Sequence, residues 1–516
     1  MKERESGMIW KIAKKEFLLN LMTFKFAVGT ILCVVLIAVF VPVLANDYQQ
    51  RLQKYSQQVT NNEAKLRQVK AYRVLTPTLF RRPQVLSVFS QGLEKRLGDS
   101  AKIGFGIIPD FDMIPEINAG PAELNPYLSI FSTFDVLLIF KIVISALALL
   151  VAYDVVSGEK EQGTLSLTLS NRVARAHILM GKLLAGALTL AVPTTVAFIV
   201  GLLLLLGFPS IDLQASDWAR IGIMYIASLA FVLAVYNVGL LFSCLTKSSA
   251  LALVLGLFFW VLAIVVIPNG SVYLARRIHR VPDVETRNEQ IESVRGQLRH
   301  EWSEKHNELP QGGGAYAAEG PFGGRGHWYI IVCDPAEAEY WKKGASLEMS
   351  LNSKYGRKLW EVEHAYVEGL LMQTQLARSI GMISPTCLYD NIMSALAGTN
   401  MADFQAWIAS AGTYRQTILA YICNKTDDLR DLSYITQSTE AERIAWAKGG
   451  EFSKGAVQAA SEHTLPLNLE DLPRFTYSTG VTEGLRRGAA DLILLFVFNI
   501  VFFSLSFAAF QKYDAR

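Results

Sequence analysis

The sequence predicts an all-α polytopic membrane protein: six transmembrane helices and a mainly helical domain on the side of the bilayer away from both termini. Three observations carry this expectation. The 516 residues are 51% hydrophobic and 18% charged, with a mean hydropathy of +0.27, which is more apolar surface than a soluble core of this size hides. A bilayer core about 30 Å thick takes roughly 20 residues of helix, and runs of about that length without Asp, Glu, Lys or Arg occur at 26–45, 183–208, 221–245, 250–267 and 492–510. A sixth run, 128–153, is as apolar but carries Asp135 and Lys141. Lys and Arg crowd the N-terminus and the 154–182 segment, whereas 209–217 has none. By the positive-inside bias, both termini and 154–182 face the cytoplasm.

Taken in order, residues 1–25 set Ile9, Trp10, Ile12, Ala13, Phe17, Leu18 and Leu21 among Lys11, Lys14, Lys15 and Glu16. That is an amphipathic segment for the cytoplasmic interface, or else a plain extension of the first span. The first span, 26–45, is longer than a signal-peptide core, and about 25 residues precede it, so it reads as retained rather than cleaved near Ala45. Beyond it, Tyr48, Leu52, Tyr55, Val59, Asn62, Leu66 and Val69 recur at steps of four and three. This predicts a helical stalk packed on a partner helix, within an extracytoplasmic segment 46–127. Spans follow at 128–153, 183–208, 221–245, 250–267 and 489–510, with a cytoplasmic tail at 511–516. The insert 268–488 repeats Leu347, Leu351, Tyr355, Leu359, Val362, Tyr366 and Leu370 at helical spacing. It is interrupted by a glycine-rich stretch, 310–326, expected as a loop, and by Ser384-Pro385 and Gly398-Thr399.

Several chemistries are excluded or unsupported. Forty-nine Lys and Arg against 46 Asp and Glu leave a net charge of +3, too balanced for a nucleic-acid partner. No GxxxxGK[ST], GxSxG or HExxH occurs. Six of the seven histidines lie in the insert, yet none has zinc-site spacing, so no metal is expected. Five cysteines build no disulfide framework, and Cys333, Cys387 and Cys423 allow one bridge at most.

Charges inside spans are costly and hence suspect. Asp135 and Lys141 lie six residues apart, about 240° around a helix, so each needs a partner other than its neighbour. Asn237, Asp491 and Asn499 join them as a candidate intramembrane polar pathway. Rival readings of the chain are a membrane-anchored sensor or scaffold, and an intramembrane enzyme using Asp135 and Lys141.

The most informative stretch joins the second and third spans. Tyr153 and Asp154 lead into Ser157-Gly158-Glu159-Lys160-Glu161-Gln162-Gly163-Thr164, and Arg175-Ala176-His177-Ile178-Leu179-Met180-Gly181-Lys182 follows. By composition it is a short, charged, glycine-punctuated helix pair. It resembles the type-2 ABC transporter permease family, whose SGE(K/R)ExGT and Rxx(I/L)LxGK elements both find matches here. Asn125-Pro126 before the second span and the stretch from Arg82 to Leu93 are also similar. The large insert is similar to the branch with extracytoplasmic insertions, related to gliding-motility and copper-enzyme-maturation permeases. This resemblance implies a type-2 ABC permease-like (type V exporter-like) fold in a bacterial inner membrane. It implies a homodimer with a second permease chain, and two copies of a separate ABC ATPase that carry ATP and Mg, with no cofactor or catalytic residue in this chain. Membrane lipid and an extracytoplasmic protein are further expected partners. Ser157, Gly158, Glu159, Lys160, Glu161, Gly163, Thr164 and Arg175 would couple to the ATPase, with Glu159 and Glu161 offering carboxylates to its basic residues.

Overall fold

Six described helices are long and apolar enough to cross a bilayer. The computed structural model describes residues 2–95, 98–103, 110–111, 135–170, 174–309, 315–319, 330–426, 434–437, 444, 465–477 and 480–513. The expected Asn125-Pro126 entry and the start of the second span at 128 lie outside the described residues.

Helix α1 (Lys2–Leu21) lies along the third span with Ala13 buried and Trp10, Leu18 and Leu19 exposed. It does not run on into the first span. Thr23 takes extended backbone, and its hydroxyl accepts from the Phe26 amide at 3.3 Å, starting a new helix α2 (Phe24–Leu66). The N-cap therefore decides against an uninterrupted extension. Helix α2 has 43 residues, about 65 Å of rise, so its second half stands beyond a 30 Å hydrocarbon core.

Within the stalk's seam, Leu66 and Val69 pack on the helical core of the insert, while the Asn62 side chain exchanges two hydrogen bonds of 3.2 Å with the backbone of Thr78 in strand β1 (Thr78–Phe80). Strand β1 pairs antiparallel with β2 (Ser100–Lys102), and β2 with β3 (Asp110–Phe111). An amide carries both a donor and an acceptor, so a single Asn can satisfy a strand edge that a helix could not. Val69 falls past the helix end, where its carbonyl accepts from the Leu467 amide.

The second span, α3, is Val136–Ile139, a π turn at Phe140–Ile144, and Ser145–Ala152. Short helices α4 (Ser157–Glu161) and α5 (Thr164–Ser170) follow, then spans α6 (Arg175–Leu206) and α7 (Ala215–Leu245). Span α8 runs Ser249–Val261, a π turn at Leu262–Val266, and Ile267–Ile278. Helix α7 is the most buried span. Its Tyr236 ring lies over Gly186 of α6 so closely that a Cβ there would sit 2.1 Å from the ring.

In the insert, α9 (Val284–Asn307) packs against α10 (Pro335–Gly381). Glu301 accepts from Lys354 and Tyr355 and pairs with Lys305, which together pull its carboxyl down to about 2. Of the expected α10 stripe, Leu351, Tyr355, Leu359 and Tyr366 are buried, while Leu347, Val362 and Leu370 are half-buried. Met349, Val367 and Leu371 face a second core built round Trp407 and Phe404 of α12 (Met401–Lys425). The apolar face is therefore wider than one seam. The glycine-rich stretch, expected as a loop, contains strand β4 (Ala315–Glu319), because Ile330–Cys333 (β5) offers it an apolar partner; β5 also pairs in parallel with β6 (Tyr434–Gln437). The rest of that stretch lies outside the described residues. All five cysteines are free.

Helix α11 (Pro385–Ala397) departs most from the sequence expectation, which places it in the external insert. It packs between α7 and the last span, α13 (Val481–Gln511). The turn before it reaches down to α8, where the Ser384 hydroxyl donates to the carbonyl of Ala263 at 2.7 Å. Ala263 lies fourteen residues above the start of α8, about 21 Å along the axis, so α11 begins at mid-span depth and climbs back out. Backbone that re-enters a bilayer survives only when protein surrounds it. Here Tyr389 stacks on Phe231 of α7 at 4.5 Å, and its hydroxyl bonds Ser228 at 2.7 Å.

Overpacking of this kind costs roughly 1–3 kcal/mol, so Gly186→Ala is expected to lower the thermal midpoint in detergent. Gly222→Ala, with nothing within 4 Å of the added methyl, is expected to leave it unchanged. Scanning fluorimetry of both variants checks this.

Candidate functional site

The segment between the second and third spans is built as a fastener. Val156 and Ser157 both donate their amides to the Ser243 hydroxyl at 3.0 Å, and the Ser157 hydroxyl donates to the Tyr153 carbonyl at 2.6 Å. Lys160 reaches the carbonyls of Ser243, Cys244 and Thr246 at the end of α7. Those carbonyls have no partner within a helix that has stopped, and a cation is the natural cap. Glu161 does the converse for α8, accepting from the Ser249 amide at 2.9 Å and its hydroxyl at 2.8 Å. A carboxylate suits the exposed amides and positive end of a helix N-terminus.

The remaining charges tie in the other helices. Lys182, 2% exposed, donates to Glu159 at 2.7 Å, to Glu16 of α1 at 3.1 Å and to the Val155 carbonyl at 3.0 Å. The adjacent Gly181 lets α1 approach: a Cβ there would meet Ile12 at 2.7 Å. Arg175 donates to the carbonyls of Gln511 and Tyr513, capping α13. Lys25 of α2 donates to Asp154 at 2.8 Å and to the Tyr153 hydroxyl at 2.7 Å. One short segment thus touches an end of every other span. Gly158 packs near Asp154 and Ser249 without crowding.

Glu159, expected with Glu161 to present a carboxylate to a partner, is turned inward onto Lys182, whereas Glu161 bonds Ser249 from an exposed position. Facing outward with Glu161 are Gln162, Gly163, Thr164, Ser166 and Leu167, the last 69% exposed. Gly163 has φ +69, a left-handed turn that lets α5 fold back from α4, and open space surrounds it.

The polar residues within the spans each take their own partners. Asp135 caps α3, accepting from the Leu138 amide at 3.0 Å and from the Gln91 amide at 3.3 Å. Lys141 pairs at 2.8 Å with Asp390 of α11. Asp491, fully buried, pairs with Arg378 at the end of α10. Asn237 donates to the Asn499 side-chain carbonyl at 2.9 Å, and Asn499 donates to the carbonyls of Ala230 and Leu495, locking α7 to α13. Sequence reasoning missed Asp390 and Arg378. A 13-residue helix is too short to read as membrane-embedded, and only the Pro385 start and the Gly398 stop marked it.

The model of the ABC-2 family transporter protein matches residues 10–515. The chain belongs to the ABC-2 transporter family. No curated protein matches it. Family membership makes this chain a multi-pass membrane component of an ABC transporter and implies association with an ABC ATPase. In this ABC-2 protein the matched region takes in the fastener, the re-entrant α11 and the insert together.

Removing one partner from a buried ion cluster leaves its counter-charges unpaired, at a cost of about 3–5 kcal/mol. Lys182→Ala is expected to lose that much stability, and Glu159→Gln in the same chain to restore part of it; thermal melts of the two single variants and the double variant test the coupling. Reversing the pair at the other end, Lys141→Asp with Asp390→Lys, is expected to recover expression that either single change loses.

Proposed function

We propose that the chain is the permease of an ABC exporter whose separate ATPase docks on the outward face of α4 and α5. The observation that supports this reading is the division of labour in the 153–182 segment. Its charged side chains hold span ends, and its uncharged tip, from Gln162 to Leu167, is left outward on a rigid base. A push delivered to such a tip moves the attached helices as one body. The Glu159 carboxylate serves transmission, and the exposed Glu161 borders the tip while it bonds Ser249.

In this reading both termini and the tip face the cytoplasm of a bacterium, in line with the Lys and Arg bias, and the insert lies outside the inner membrane. Two ATPase copies, binding ATP and Mg, serve a homodimer of this chain, which itself has no catalytic role. The cycle drives export of a substrate, or mechanical work on the insert and whatever extracytoplasmic protein it holds. Helix α11 would carry the motion across, since it rests on α7 and α13 and is bonded to α8 and α3.

The test is co-purification of the tagged chain with the ATPase encoded beside it, followed by ATP hydrolysis. Gly163→Trp and Leu167→Asp are expected to reduce retained ATPase about tenfold, a loss of roughly 1.4 kcal/mol, at wild-type thermal stability. Glu159→Gln is expected to lower stability instead. Full ATPase retention by both tip variants would overturn this docking surface.

A further inference from the structure

The fifth span runs past the bilayer and ends in cations. Helix α8 covers 30 residues from Ser249 to Ile278, about 45 Å of rise against a hydrocarbon core of about 30 Å. With Ser249 at one bilayer face and an ordinary tilt, its last two turns stand at headgroup level on the insert side. Those turns hold Arg276 and Arg277, and Arg280 follows just past the helix end. All three are exposed. Among the described residues no carboxylate lies within 4.0 Å of any of them, and none makes a hydrogen bond. Cations in a last turn ordinarily serve the helix carbonyls, but here no such bond is made, and Arg280 lies beyond the helix.

The three are not equivalent. Arg276 and Arg280 line a shallow, open depression of about 370 Å³ with Val281, Pro282, Leu370 and Gln373, while Arg277 lies off it. Gln373 is held in the wall by donating its side-chain amide to the His279 carbonyl at 2.9 Å. Tyr273, one turn before Arg276 on the same face, is 66% exposed, and Leu274 and Ile278 are exposed beside it. An apolar strip thus rises from the bilayer into a cationic mouth, the pairing of aromatic and basic side chains that suits a lipid interface.

We propose that this depression binds the phosphate-bearing headgroup of an anionic phospholipid from the insert-side leaflet, with Arg276 and Arg280 on the phosphate and Tyr273 against the glycerol and acyl region. The guanidinium fork matches phosphate oxygens. Continuity with the lipid-facing side of a span argues for a lipid over free phosphate. The site is independent of ATPase docking, at the opposite end of the molecule.

The test uses the full-length chain in detergent with equimolar phosphatidylglycerol and phosphatidylcholine, read by native mass spectrometry. Wild type is expected to retain phosphatidylglycerol about tenfold over phosphatidylcholine. Arg276→Gln with Arg280→Gln is expected to fall to parity, and Arg277→Gln to keep the preference. Size exclusion checks that each variant is folded, and the single Arg276→Gln and Arg280→Gln changes are read if the double variant aggregates. Three results would each overturn the assignment: no preference in wild type, an equal loss on Arg277→Gln, or displacement of the lipid by millimolar inorganic phosphate.

Discussion

In hydrocarbon, no backbone amide, carbonyl or charge can turn to water, and every helix that ends near a bilayer face leaves four of each backbone group to be satisfied. Six spans multiply that demand, and the structure meets much of it at one place. Lys160 caps the end of α7, Glu161 the start of α8, and Arg175 the end of α13. Lys182 joins α6 to α1 through Glu16 and to α4 through Glu159. A signature that reads as a surface for charge pairing with another protein is, in its geometry, mostly internal carpentry. The stiffness that results is what a coupling element needs, because a loose segment would absorb a push instead of passing it on.

The other end of the bundle solves the same problem with different means. Both π turns, at Phe140–Ile144 and Leu262–Val266, are met by polar side chains. Ser145 donates to the Lys141 carbonyl and receives the Trp260 indole N–H, and Ser384 serves the Ala263 carbonyl. Helix α11 is held by these, by the Lys141–Asp390 ion pair, by the Tyr389–Ser228 bond and by close packing on α7 and α13.

The insert is anchored to the spans by its own long elements. Helix α10 descends to Arg378, which binds Asp491 of α13, and Arg487 of α13 binds Asp403 of α12. Helix α2 carries the first span directly into the second core. The spans and the insert are therefore tied by a continuous helix and two ion pairs with buried carboxylates.

The sequence by itself determined the six spans and the helical character of the insert, because hydrophobic length and helical period are local properties read from neighbouring residues. It also marked 153–182 as the charged, glycine-punctuated stretch between the second and third spans. Tertiary structure decided what those residues do. Whether Glu161 meets a partner protein or the Ser249 amide depends on a residue 88 positions away, and no local pattern records that distance. The same holds for Asn62, whose seam partner is a strand edge, and for Lys141, whose need for a counter-ion was legible while Asp390 was not. Helix α11 stayed hidden for a physical reason: at 13 residues it is too short to span, and only burial among α7, α13 and α8 makes it part of the membrane.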